Sequence, residues 1–151
     1  MNREPTQAAL VDANLVLWAH HSGFPQHEQA RRWWGQTLSS APQVAIPWPT
    51  ILAFLRISTH PRALERPLAI ADAWDLVSGW LERPNVWVPT PTERHDAILG
   101  SLLLDTNATG NHTIDAHLAA LAIEWGLEIL SADHDFGRYH VLRWHDPLKE
   151  I

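Results

Sequence analysis

"NHTIDAHLAALAIEWGLEILSADHDF", residues 111–136, holds the succession of elements that decides the fold. A stretch with helical spacing, 113–125, runs into Gly126, the residue type best suited to the left-handed turn that stops a helix. The mainly apolar run 127–131 follows at once, short and continuous enough for a strand buried on both faces. Asp115 stands in the first turn of the helix, and Asp133 and Asp135 stand just past the strand. The chain opens with the same device: the apolar run 8–11 ends in Asp12, the first residue of "DANLVLW", 12–18.

Working outward, the pattern predicts a strand over 7–11 and a short helix over 15–20. In 24–38, Ala30, Trp33, Trp34 and Leu38 share one side of a second helix. A strand over 43–46 lies between Pro42 and Pro47, and Pro49 suits the first turn of the helix that "TILAFLRIST" continues. After the loop "HPRALERP" come a helix over 68–82, a strand over 85–88, a helix over 93–104 and the turn-rich "TNATGN". A last strand is expected over 140–144. Strands alternating with helices predict one α/β domain over 1–151 with a central, mainly parallel sheet.

That architecture gives the acids a common address. Ligands of open α/β sheets bind outside the carboxyl ends of the strands. Asp12, Asp133 and Asp135 follow strand ends, and a right-handed crossover delivers the helix start bearing Asp115 to the same side. Each acid has a local use. Asp12 suits a helix N-cap, Asp115 favours the helix dipole, and Asp133 and Asp135 suit a turn. Together, however, the four are expected on one rim.

Composition bounds what such a rim does. The 151 residues are 46% hydrophobic and 19% charged, with no cysteine and hence no disulfide or thiolate metal site. No apolar run approaches the roughly 20 residues of a membrane span, and "MNREPTQ" has no hydrophobic signal core, so a cytosolic protein without membrane contact is expected. The net charge of −6 argues against broad, non-specific nucleic-acid binding. Even so, ten of the eleven cations are Arg, suited to phosphate, and Arg56, Arg62, Arg66 and Arg138 are candidates for a local positive rim. Nine Trp point to core and interface packing. Trp33, Trp34, Trp48, Trp74 and Trp80 offer more aromatic surface than one small core readily absorbs, which predicts a homodimer and a partner laid along 48–56.

Clustered carboxylates repel one another unless a cation neutralises them, and Mg²⁺ is a hard cation held by carboxylates and waters. The chain has no P-loop, no Gly-rich phosphate loop and no workable Ser-His-Asp order. A phosphate-receiver reading needs a lysine near the site, whereas the sole lysine is Lys149. An aspartyl phosphatase needs an acid two residues after its nucleophile, where Asn14 stands. Metal-assisted phosphoester hydrolysis is the chemistry these residues match. His112, His117 and His134 flank the acids and are expected at the surface or behind the ligands.

"LVDANLVLW" and "TIDAHLAALAIEWGLEILSADHDF", in this order and spacing and with S-x-D-x-D-F after a strand, resemble a PIN domain of the VapC type over about 8–147. The resemblance implies a three-layer α/β/α fold and an endoribonuclease toxin dependent on Mg²⁺ or Mn²⁺. It also implies a dimer neutralised by a VapB-type antitoxin. By position, Asp12, Asp115 and Asp133 would be metal-binding catalytic acids, with Asp135 a fourth or an outer group. Asn14 and Ser131 would hold the carboxylates in place. The family's usual Glu in the third helix is replaced by Phe54, for which Glu65, Asp96 or solvent could substitute. The alternative is a catalytically impaired PIN-like module that acts by binding RNA or a protein partner.

Overall fold

Strands this short hold together only because neighbours cover both their faces. The computed structural model describes residues 8–149, so Gln7 of the expected first strand lies outside the described residues. Five strands, β1 (Ala9–Val11), β2 (Val44–Ala45), β3 (Val86–Trp87), β4 (Glu128–Leu130) and β5 (Trp144–His145), form one sheet in the order β3-β2-β1-β4-β5. Every pairing is parallel, with Leu10 opposite both Ala45 and Ile129. Side chains alternate across the sheet. Ala9, Val11, Val44, Ile46 and Leu130 enter one core, while Leu10, Ala45 and Ile129 enter the other.

The first core is roofed by α1 (Ala13–His20), α2 (His27–Ser40), α3 (Trp48–Ser58) and α4 (Ile70–Leu81), the second by α5 (His95–Thr106) and α6 (His112–Trp125). This is the expected three-layer α/β/α arrangement, with the sheet wholly parallel. Gly126 ends α6 at φ 67°, and the Leu127 N–H reaches back to the Ala122 carbonyl at 2.7 Å, turning the chain directly into β4.

Most helix boundaries shift by one to three residues from the sequence pattern, and three differences bear on the site. The first helix begins at Ala13 because Asp12 caps it. The run 134–138 closes into a 3₁₀ turn, His134–Arg138, under the side chain of Asp133. Turns at Tyr139 and Leu142 then delay the last strand to Trp144–His145. The aromatic surface is also smaller than expected. Trp34 and Trp80 are core residues in edge-on contact at 5.6 Å, and Trp33 packs against them. Trp48 and Trp74 do remain exposed.

From β1 the chain moves outward to β2 and β3, then returns to β4 and β5 on the other side. The adjacent carboxyl ends of β1 and β4 are therefore the topological switch point, where α/β sheets open a crevice.

Candidate active site

Asp12 follows β1 at that switch point, and its backbone N–H extends the ladder to the Leu130 carbonyl at 3.0 Å. Its carboxylate has two fixed partners. Oδ1 accepts from the Ala13 N–H at 2.8 Å, capping α1, and Oδ2 accepts from Ser131 Oγ at 2.7 Å. The Ser131 oxygen in turn accepts from Asn14 Nδ2 at 3.2 Å and from the Asp133 N–H at 3.0 Å. Asn14 closes the web by accepting from the Ala132 N–H at 3.4 Å. Asp133 Oδ1 receives the Asp135 N–H at 2.9 Å and so caps the 3₁₀ turn. From α3, Thr50 donates to the Val11 carbonyl at 2.8 Å and pins the end of β1.

Asp12 and Asp133 thus cap the elements they precede, while Asp115, in the first turn of α6, feels the charge of both. Burial pushes the Asp115 carboxyl up, the charges of Asp12 and Asp133 push it further, and it stands at about 6 even though His112 opposes the rise. Asp12 is raised as well, chiefly by burial, with the Ser131 and Ala13 bonds working against it and the Asp133 charge adding to it. Asp135 lies further out: its side chain is 53% exposed against 19% for Asp115, and Arg138 stands beside it at 3.7 Å. His112 Nδ1 lies between these two, 3.6 Å from Asp115 and 4.0 Å from Asp135. Among the described residues, no three His, Asp or Glu side chains stand together as a set that could hold a metal ion. The donor set is nevertheless one of hard oxygens held close against their own repulsion, which is what a hard divalent cation relieves.

The remaining candidates disperse. His117 turns away from the acids to His95, 3.0 Å away, and His134 packs edge-on against Trp144. Phe54 is 0% exposed, packed among His20, His21 and Trp80, and brings no oxygen to the rim. Glu65 and Asp96 are exposed, and neither is among the charges acting on Asp12 or Asp115. Of the four arginines, Arg138 adjoins the acids, while Arg56 is in α3 and Arg62 and Arg66 follow it. Tyr139 and Thr50 carried no signal in the sequence. Tyr139 is buried, and its hydroxyl is raised by that burial and then by the charge of Asp115.

Residues 9–142 match the PIN domain family. The chain is 45% identical over 143 residues to ribonuclease VapC33 of Mycobacterium tuberculosis, covering 93% of this chain and 99% of that protein. Ribonuclease VapC37 of the same organism is 39% identical over 138 residues, 91% of this chain and 96% of the relative. Among solved structures, M. tuberculosis VapC20, a sarcin–ricin loop cleaving toxin, superposes with a TM-score of 0.64 at 18% identity, over 86% of this chain and 93% of that one. VapBC2 from Rickettsia felis, bound to a promoter DNA fragment, gives 0.63 at 12% identity, over 91% and 97%. The two structures share the fold; the sequence relatives and the family match carry the assignment, and the chain belongs to the PIN-domain family, among its VapC ribonucleases.

Proposed function

We propose that this chain is the endoribonuclease toxin of a toxin–antitoxin pair and hydrolyses RNA phosphodiesters at the rim of Asp12, Asp115 and Asp133. The observation that carries the proposal is the web at the switch point, where Ser131 ties Asp12 to the Asp133 backbone and Asn14, with Asp115 close enough to be raised by the charges of both acids. Three carboxylates that repel one another at a topological switch point are suited to Mg²⁺ or Mn²⁺, with Asp12, Asp115 and Asp133 as its holders. When bound, such a cation supplies charge neutralisation at the phosphodiester and a lowered pKa for the attacking water.

The chain's own part is positioning. Ser131 and Asn14 fix the faces of Asp12 and Asp133, and α6 presents Asp115 from its first turn. Asp135 acts as an outer acid, and the neighbouring Arg138 gives a phosphate one cationic contact on an acidic surface.

A cognate VapB-type antitoxin fits the exposed apolar strip of α3, where Trp48 is 43% and Leu52 59% exposed and Arg56 closes the helix. A homodimer is expected to cover other exposed apolar residues, such as Leu104 and Ile114. Among the described residues, no helix is long and apolar enough to cross a membrane. Action in the cytoplasm, where RNA is met, is part of the same reading.

The test is incubation of purified, antitoxin-free protein with total RNA in Mg²⁺ or Mn²⁺, against EDTA and Asp12→Asn controls. Discrete cleavage that needs metal and disappears in the variant is the expected result. No cleavage by folded protein in either metal would favour the impaired binding module instead.

A further inference from the structure

The backbone that carries the acids has a second side. Leaving β4, the chain bends at Ala132, and Asp133, at φ −85° and ψ 109°, leads into the 3₁₀ turn. Ser131 donates to Asp12 and the Asp133 charge acts on it, whereas Ala132 and His134 line a separate cleft of about 390 Å³ with Trp18, Gln26, Gln29 and Asp146. That volume falls in the roughly 300–1,000 Å³ range of small-ligand sites. Ala132 and His134 are one Cα step, about 3.8 Å, from Asp133. The cleft and the acids thus draw on neighbouring residues of one segment, 131–134, which sets them side by side along a bound strand.

The lining is rich in acceptors. Gln26 Oε1 is buried with no hydrogen-bond partner, and a buried carbonyl left so is stabilised by any N–H that reaches it. Gln26 makes no side-chain capping bond to α2, so the helix does not explain its placement. Asp146 is 8% exposed, with Oδ1 taken by the Leu148 N–H at 2.9 Å. Gln29 donates its Nε2–H to the Leu148 carbonyl, which leaves its own carbonyl as the group to offer. Trp18 supplies an aromatic wall, and Lys149 a cation at the edge.

We propose that this cleft binds the base of a nucleotide flanking the scissile phosphate and selects guanine; the proposal rests on the ribonuclease reading above. Bases of single-stranded RNA are read by stacking on aromatic side chains and by hydrogen bonds to their Watson–Crick edges. Guanine alone presents two adjacent donors there, N1–H and the N2 amino group, which match a carboxylate and a carbonyl. Its O6 acceptor suits the lysine. Adenine and cytosine offer one amino donor beside an acceptor, and uracil a single N–H between two acceptors. Asp146→Asn keeps an oxygen for the Leu148 N–H but replaces an acceptor by a donor, and Gln26→Met keeps volume without the carbonyl.

The experiment has two readouts on wild type, Gln26→Met and Asp146→Asn. One is sequencing of the cleavage ends from a random-loop RNA pool. The other is equilibrium binding of GMP, AMP, CMP and UMP in EDTA. Guanine enriched at one fixed position beside the cut, GMP bound in preference, and both preferences reduced roughly tenfold in each variant are the expected results. Cleavage without base preference, or a guanine preference that both variants keep, overturns the cleft while the nuclease stands. Absence of cleavage with an intact, variant-sensitive GMP preference does the reverse. Neither cleavage nor preferential binding sinks both.

Discussion

Ser131 has one hydrogen to donate and two lone pairs to accept with, and all three are engaged at the rim: out to Asp12, in from Asn14 and the Asp133 N–H. It is fully buried, so no water replaces what is lost with the hydroxyl. Ser131→Ala should therefore leave the fold standing but free Asp12 to reorient, weakening Mn²⁺ binding by about 10- to 100-fold, the usual loss when a group supporting a metal ligand is removed. Isothermal titration with Mn²⁺ checks this. Wild-type affinity in the variant would reduce Ser131 to a packing residue. A related prediction follows from the repulsion around Asp115. A cation that binds only the folded chain at 100 times its Kd adds about 2.7 kcal/mol. Thermal unfolding should then come at higher temperature in Mg²⁺ or Mn²⁺ than in EDTA, and Asp12→Asn should abolish most of the gain. An equal rise in both proteins would mean that the cation acts elsewhere.

At the scale of elements, α5 and α6 are joined by a buried polar chain. Glu124 accepts from the Thr92 N–H at 2.8 Å and its hydroxyl at 2.7 Å, and its other oxygen meets His95 Nδ1 at 2.5 Å. His95 Nε2 lies 3.0 Å from His117 Nδ1 on α6. Burial works to raise the Glu124 carboxyl, but the bonds from Thr92 and His95 outweigh it and hold it below the ordinary value of 4.5. A depressed carboxylate stabilises the fold above its unfolded-state pKa, and that contribution is lost as the pH falls through the folded value. Glu124→Gln should cost about 1–3 kcal/mol at pH 7 by leaving His95 Nδ1 without a proper acceptor. Its deficit against wild type should shrink as the pH drops below about 4.5, as read by urea unfolding at pH 7, 5 and 4. A deficit independent of pH would mean that shape, not charge, is what Gln fails to supply. None of this was visible in the sequence, although both helices were. Helix period and the Gly126 stop are local signals, while His95 and Glu124 are 29 residues apart and His95 and His117 22 apart. Periodicity gives the face of a helix and leaves its partner unspecified.

For the whole molecule, alternation of strands and helices made the parallel sheet legible, and the sheet made the rim legible, because strand carboxyl ends share one edge wherever connections are right-handed. Asp12, Asp115 and Asp133 could therefore be grouped without any contact in view. Phe54 shows where position along the chain stops being informative. A residue aligned with an acid's usual place suggested a lost ligand, yet its ring lies 4.8 Å from Trp80 and 5.4 Å from His20, the last residue of α1 and so at the opposite end of that helix from Asp12. Its burial belongs to the core between α1, α3 and α4. Phe54→Glu is the decisive substitution. If Phe54 is core, the variant loses at least the roughly 3–5 kcal/mol that truncating a buried Phe costs, and more for a carboxyl placed among aromatic rings. It should then unfold at lower urea with no gain in Mn²⁺ affinity per folded molecule. If the variant instead folds as well as wild type and binds Mn²⁺ more tightly, the core at that point is plastic enough to lend the rim a fourth carboxylate. Three acids would then be a depleted set.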